Sequence, residues 1–296
     1  MQTMTIAVSG ASGKLGRMVL RELARLTDRP VLALSRTPEP FGTTGRYADF
    51  DRPESLAGAF AGVTRLVLIS TDALGGDGRR VRQHRDAIDA ARAAGVRHIV
   101  YTSILHATTS PLSSMVADHA ETERALTASG LGHTVLRNAF YDDLASGIIG
   151  RAVEGAFAHA AGRGGVAYVA RQDCALAAAT AVAGDFDGRR VLNITGPEVI
   201  DMRALGAMAG LRAVAVSEAE LVERLAAGGM PAAGPGDARC RHRKGRHATG
   251  SSRFRATDRP AAGRAASVAG ARQKKAGPWQ GRPKTFGQGP VDQAAK

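Results

Sequence analysis

Two cysteines, Cys174 and Cys240, are all the thiol chemistry in 296 residues. That is too few for a disulfide framework or a zinc site, and no metal is expected. No stretch approaches the roughly 18 consecutive apolar residues of a membrane span. The apolar segment near the start is far too short for a signal peptide. A soluble protein in a reducing, cytoplasmic setting is the resulting expectation. Acid is scarce too, but only at one end. Residues 234–296 hold 15 Lys and Arg against 3 Asp and Glu, which is +12 of the formal +13. Residues 1–233 carry 25 basic and 24 acidic side chains. That near-neutral body excludes a nucleic-acid-binding reading of it and leaves only the basic tail for a polyanion.

What is present is a patterned α/β sequence, long enough to bury an ample core. Seven residues, Gly10-Ala11-Ser12-Gly13-Lys14-Leu15-Gly16, lie between the apolar run Thr5–Val8 and an amphipathic stretch ending at Leu26. A strand, a tight turn and a helix N-terminus form a site for a pyrophosphate. Gly10 can turn the chain at positive φ, Gly13 lets phosphates approach the backbone, and Gly16 lets the helix pack closely. The spacing is G-x-x-G-x-x-G, not the G-x-G-x-x-G of ordinary dinucleotide folds.

Further strands are expected at Val31–Ser35, Arg46–Ala48, Arg65–Ile69, His98–Thr102 and His133–Leu136. Helices are expected at Lys14–Leu26, Pro53–Phe60 with Asp51 as N-cap, Arg79–Ala94 and Met115–Ser129. This alternation predicts a Rossmann-type, doubly wound parallel sheet over residues 1–140. Beyond Asn138 the pattern changes. A helix over 142–154, a strand over 166–169 and a helix over 173–183 come first. A strand over 191–194, a helix over 201–210, a strand over 213–216 and a helix over 217–227 follow. Residues 141–233 are expected to form a small α/β substrate lobe. From Gly234 onward, Ala, Arg, Gly and Pro make up 37 of 63 residues. The few large apolar side chains there cannot offset the entropy of ordering, so 234–296 is expected to be a disordered basic tail.

Arg36 follows the second strand, where an NAD site usually places an acid on the ribose 2′-OH. A cation there favours a 2′-phosphate, as do the neighbouring Ser35 and Thr37. NADPH is therefore expected over NADH. A solvated arginine at a strand end is the alternative.

Five segments occur in order at fitting spacings: the glycine loop, Arg36, Leu68-Ile69-Ser70-Thr71, Tyr101-Thr102-Ser103-Ile104-Leu105-His106-Ala107 and Leu136-Arg137-Asn138-Ala139-Phe140-Tyr141. Together they resemble the NmrA-like atypical short-chain dehydrogenase/reductase family, in particular its bacterial NADPH:quinone oxidoreductases, over about residues 4–232. The resemblance implies that Gly10 to Gly16 hold the pyrophosphate and Arg36 the 2′-phosphate. It implies that Ser70, Thr71 and Ser103 line the cofactor channel, and that Arg137, Asn138 and Tyr141 face nicotinamide and substrate. Read as residues alone, Ser70, Thr71 and Ser103 could equally cap strand ends or turns. Tyr141 could be a half-buried aromatic, and Arg137 an ion-pair partner.

Ordinary members of the wider family use a Tyr-x-x-x-Lys pair to move a proton. Met115 and His119 stand in those places, and methionine cannot donate a proton. Quinone reduction tolerates this loss, because hydride transfer to a strong electrophile needs mainly proximity and orientation while water supplies protons. Tyr141, Asn138 and His106 are the candidate catalytic residues, with His119 a weaker donor. The expected function is an NADPH-dependent reductase of quinones or similar conjugated carbonyls. The alternative is a non-catalytic NADP(H)-binding redox sensor that touches a protein partner. The expected partners are the small-molecule substrate and a second copy in a homodimer, with no membrane.

The tail departs from the family, which continues past residue 233 with a helical ending that carries a Leu-Ile-Gly-Arg-Pro signature. GC-rich codons for Leu-Ile-Gly-Arg-Pro-Pro, read two bases later, can spell Asp-Arg-Pro-Ala-Ala, and Asp258-Arg259-Pro260-Ala261-Ala262 stands about where the signature belongs. A frameshift near residue 233 is the resulting expectation, with an incomplete lobe and impaired activity as its consequence. Gly281-Arg282-Pro283-Lys284-Thr285 also resembles the signature and counts against it.

Overall fold

The computed structural model describes residues 4–73, 77–109 and 114–227. The expected disordered tail, the frameshift junction and Cys240 lie outside these residues. The chain runs β1 (Ile6–Val8), α1 (Lys14–Leu26), β2 (Val31–Ser35), β3 (Gly45–Tyr47), α2 (Glu54–Phe60), β4 (Arg65–Leu68), α3 (Arg79–Ala93), β5 (His98–Ile104), α4 (Ser114–Ala128) and β6 (Gly132–Asn138). It continues through α5 (Asp142–Ile149), β7 (Ala156–His159), β8 (Gly165–Val166), α6 (Arg171–Ala183), β9 (Arg189–Ile194), β10 (Ile200–Asp201), α7 (Met202–Met208), β11 (Arg212–Ala215) and α8 (Glu218–Ala227). Among the described residues no helix is long and apolar enough to cross a membrane.

Seven strands form one sheet in the order β3-β2-β1-β4-β5-β6-β9, and every pair is parallel. The period-two alternation of the strands sorts their side chains. Ile6, Val8, Val67, Val100 and Leu136 face α1 and α6, while Ala7, Leu34, Leu66, Leu68, Ile99 and Val135 face α2, α3 and α4. Helices on both faces explain why the strands read as nearly continuous apolar runs. This is the doubly wound Rossmann-type sheet expected from the sequence. A third cluster, around Phe157, Met202 and Leu205, joins α5, α7, β7 and β11 beside it.

Elements past residue 140 return to the main sheet. β9 extends the main sheet beyond β6, and α6 packs along α1 over the sheet. Three local expectations change. α2 begins at Glu54 with Pro53 at its N-cap, and Asp51 is not the cap. Asp51 instead accepts hydrogen bonds from Arg79 and Gln83, because two donors on α3 compete for it. α5 ends at Ile149, not at 154. The chain turns at Glu154-Gly155, both at positive φ, under a reciprocal Val153–Ala156 bridge that starts β7. β7 itself is missing from the sequence reading, because Ala-Phe-Ala-His carries too little apolar alternation.

Candidate cofactor and substrate site

The glycine loop sits between β1 and α1, at the carboxyl ends of the strands. Its amides and hydroxyls tie it to both neighbouring strands. Ala11 N donates to Leu34 O at 3.1 Å, and Ser9 Oγ accepts Ile69 N at 2.9 Å. Gly10 takes φ +59°, the left-handed conformation that its turn requires. A Cβ on Gly16 would stand 2.2 Å from the Gly10 carbonyl oxygen, so only glycine lets α1 start this close to the loop. No side chain caps α1, which leaves its first amides and positive dipole end for an anion. Ala11 and Leu15 are buried, so those positions offer backbone, while Ser12, Gly13 and Lys14 are exposed. These features fit a dinucleotide pyrophosphate.

At the end of β2, Ser35 is buried and its hydroxyl meets Ser12 Oγ at 3.2 Å and accepts Thr37 N at 3.0 Å. Arg36 is exposed and, among the described residues, forms no hydrogen bond or ion pair. Just past β4, Ser70 N donates to Thr102 Oγ1 at 2.9 Å, and Thr71 Oγ1 donates to Gln83 Oε1 at 2.7 Å. Thr71 N donates to His84 Nε2 at 3.1 Å. The His84 proton therefore sits on Nδ1 and donates to Thr122 Oγ1, 2.9 Å away. Burial holds His84 neutral, its pKa pushed down to about 3.

His119, on α4, points into the interior. Its Nδ1 lies 2.7 Å from the Tyr101 hydroxyl, and its Nε2 lies 3.5 Å from Arg80 Nη1. Burial, with Arg80 beside it, pushes its pKa down to about 3, so it is a neutral imidazole at neutral pH.

At the carboxyl ends of β5 and β6, Ser103 Oγ donates to Glu123 Oε1 at 2.6 Å. Arg137 donates to both Glu123 oxygens at 3.0 and 2.5 Å, and to Thr108 Oγ1 at 3.1 Å. Arg137 is therefore an ion-pair partner that braces the loop carrying His106. That loop is strained at His106, which is exposed at φ 61°. Asn138 is buried, its Nδ2 lies 3.4 Å from the Tyr141 hydroxyl, and its Oδ1 has no hydrogen-bond partner among the described residues. The Arg171 guanidinium lies 3.9 Å above the Tyr141 ring and is forked onto Asp143 at 2.8 and 2.7 Å. Burial raises the Tyr141 hydroxyl pKa. A half-buried phenol beside an unpartnered carboxamide oxygen can bind and orient a flat polar acceptor.

Gln83, His84, Glu123 and Arg171 are additions to the residues read from the sequence. Their partners are distant in the chain, and no local spacing signals them.

A family model described as NAD(P)H-binding matches residues 10–185. Quinone oxidoreductase 2 of Escherichia coli is 38% identical over 210 residues, which cover 68% of this chain and 72% of that protein. An NmrA-like family domain-containing oxidoreductase, flvB, of Aspergillus flavus is 31% identical over 213 residues, 68% of this chain and 69% of that protein. An NADPH-complexed structure of the E. coli quinone oxidoreductase aligns at TM-score 0.70 and 34% identity, covering 76% of this chain and 83% of that one. Citrobacter sp. triphenylmethane reductase with NADP(H) aligns at 0.68 and 32% identity, covering 77% and 85%. With a nucleotide-shaped loop on a parallel sheet and relatives of this kind, the chain belongs to the NAD(P)H-binding, NmrA-like oxidoreductase family of the quinone reductase type.

Proposed function

We propose that this oxidoreductase uses NADPH to reduce quinones or similar conjugated carbonyls, without a Tyr-x-x-x-Lys relay. The observation that carries the reading is the commitment of His119 to Tyr101 and Arg80 in the interior. That supports a reaction in which no lysine at this place takes part and orientation is the protein's task. The names of its quinone-reducing relatives support the acceptor class. NADPH supplies the hydride when bound, and a proton from water completes the hydroquinone.

In this reading the backbone of Gly10 to Gly16, with Lys14, binds the pyrophosphate and Arg36 the 2′-phosphate. Ser70 and Thr71 line the channel between adenosine and nicotinamide, and Ser103 anchors its far wall through Glu123. Asn138 and Tyr141 orient the acceptor, Arg137 holds the loop of His106, and α5, β7, α7 and β11 supply the substrate lobe. Steady-state NADPH oxidation with 1,4-benzoquinone tests it. Saturable turnover above the free-solution rate is expected. NADP(H) binding without such turnover overturns it and favours a redox sensor.

A further inference from the structure

The adenosine end of the cleft contains an acid where a 2′-phosphate site should avoid one. β2 and β3 are register partners, with Ser35 opposite Tyr47, and Ala48 N donates to Ser35 O at 3.0 Å. The chain therefore leaves β3 beside Arg36 and reaches Asp51 three residues past Ala48. An acid near the ribose selects NADH by repelling the phosphate of NADPH. Left to itself, an Asp51 carboxylate would also compete with that phosphate for the Arg36 guanidinium.

The structure gives Asp51 other partners. Arg79 Nε donates to Asp51 Oδ1 at 2.8 Å, Arg79 Nη2 reaches Oδ2, and Gln83 Nε2 donates to Oδ1 at 2.8 Å. Gln83 is in turn held by Thr71 at the end of β4. Arg79 is the first residue of α3, a helix with no acid in its first turn. A cation there opposes the helix dipole, so helix stability does not explain its placement. The hydrogen bonds from Arg79 and Gln83, with a smaller pull from Arg36, draw the Asp51 carboxyl pKa down to about 2, so the acid is ionised.

We propose that Arg79 and Gln83 sequester Asp51, leaving Arg36 free for the cofactor's 2′-phosphate, so that the Asp51–Arg79 pair sets the preference for NADPH. The inference rests on the assignment of Arg36 to that phosphate. Arg79 acts here as a specificity-determining residue through Asp51, without touching the cofactor.

The test measures binding of adenosine 2′,5′-bisphosphate by calorimetry at low ionic strength, and the NADPH-to-NADH ratio of kcat/KM with 1,4-benzoquinone. Arg79→Ala should weaken the bisphosphate and lower the ratio about fivefold, the scale of one exposed charge pair. The double variant Arg79→Ala/Asp51→Asn should restore both to the level of Asp51→Asn alone, because Arg79 is dispensable once the acid is gone. Thermal melts should barely move, since the pair is solvent-facing. An unchanged Arg79→Ala, or a double variant as weak as Arg79→Ala, overturns the proposal. Arg36→Glu separates the two levels. Retained NADPH preference in that variant removes the assignment of Arg36, whereas lost preference alongside a silent Arg79→Ala removes only the role of the pair.

Discussion

Gly16 has no room for a side chain. A Cβ there meets the Gly10 carbonyl oxygen at 2.2 Å and Ala11 Cα at 2.9 Å, both backbone atoms that cannot swing aside. Gly16→Ala should therefore push α1 away from the loop, costing about 1–3 kcal/mol of stability. NADP+ binding should fall at least tenfold with it, as calorimetry beside a thermal melt would show. Normal affinity in a folded variant would place the pyrophosphate elsewhere. This residue was legible in the sequence because strand, turn and helix are contiguous. The partners of Ser103 and Arg137 were not, since Glu123 stands 20 and 14 residues away and is brought to them only by packing of α4 on β5 and β6. Arg171 over Tyr141 is the same kind of contact, since no periodicity connects α6 to the turn after β6.

At the scale of elements, the deepest polar tie is at the other end of the sheet. Arg65 opens β4 and is fully buried. Its Nε donates to Val182 O at 2.8 Å, its Nη2 to Phe186 O at 2.8 Å, and its Nη1 pairs with Asp187. One guanidinium thus fastens the C-terminus of α6 and the approach to β9 onto the sheet's centre. Arg65→Ala strands two carbonyls, while Asp187 is half exposed and keeps Arg97 as a partner, so the loss should be about 2–3 kcal/mol. Urea denaturation would measure it, and a loss under about 1 kcal/mol would mean that the tie is only decorative. The strands of the first 140 residues were read to within a few residues, because buried parallel strands are unbroken apolar runs. The return of β9 to that sheet was hidden, because its exposed and half-buried residues alternate like those of a lobe strand. β10 has only two residues, and a run that short carries no period to read.

For the whole molecule, acid should be the weak direction. His84, His98 and His119 are buried, and burial pushes each folded pKa down to about 3 from an ordinary 6.5. Between those values the unfolded chain binds protons that the folded chain refuses. The stability these rings contribute is complete above pH 6.5 and is lost progressively as pH falls toward about 3. Urea midpoints taken stepwise from neutral to acid should fall with a slope approaching three protons taken up on unfolding. Replacing His119 with glutamine should reduce that slope by one. A midpoint flat across the window would show that the three rings are not held neutral.

The covering of the sheet also has a consequence for synthesis. The face formed by Ile6, Val8, Val67 and Val100 is shared between α1, made early, and α6, which ends at Ala183. When the ribosome has delivered residue 140, half of that face has no cover and β6 is still an open edge. At about 5–20 residues per second the gap lasts roughly 2–9 s, long on the scale of collapse and sticking. A nascent chain of this design is a natural client for chaperones that hold apolar surface until the late helix emerges.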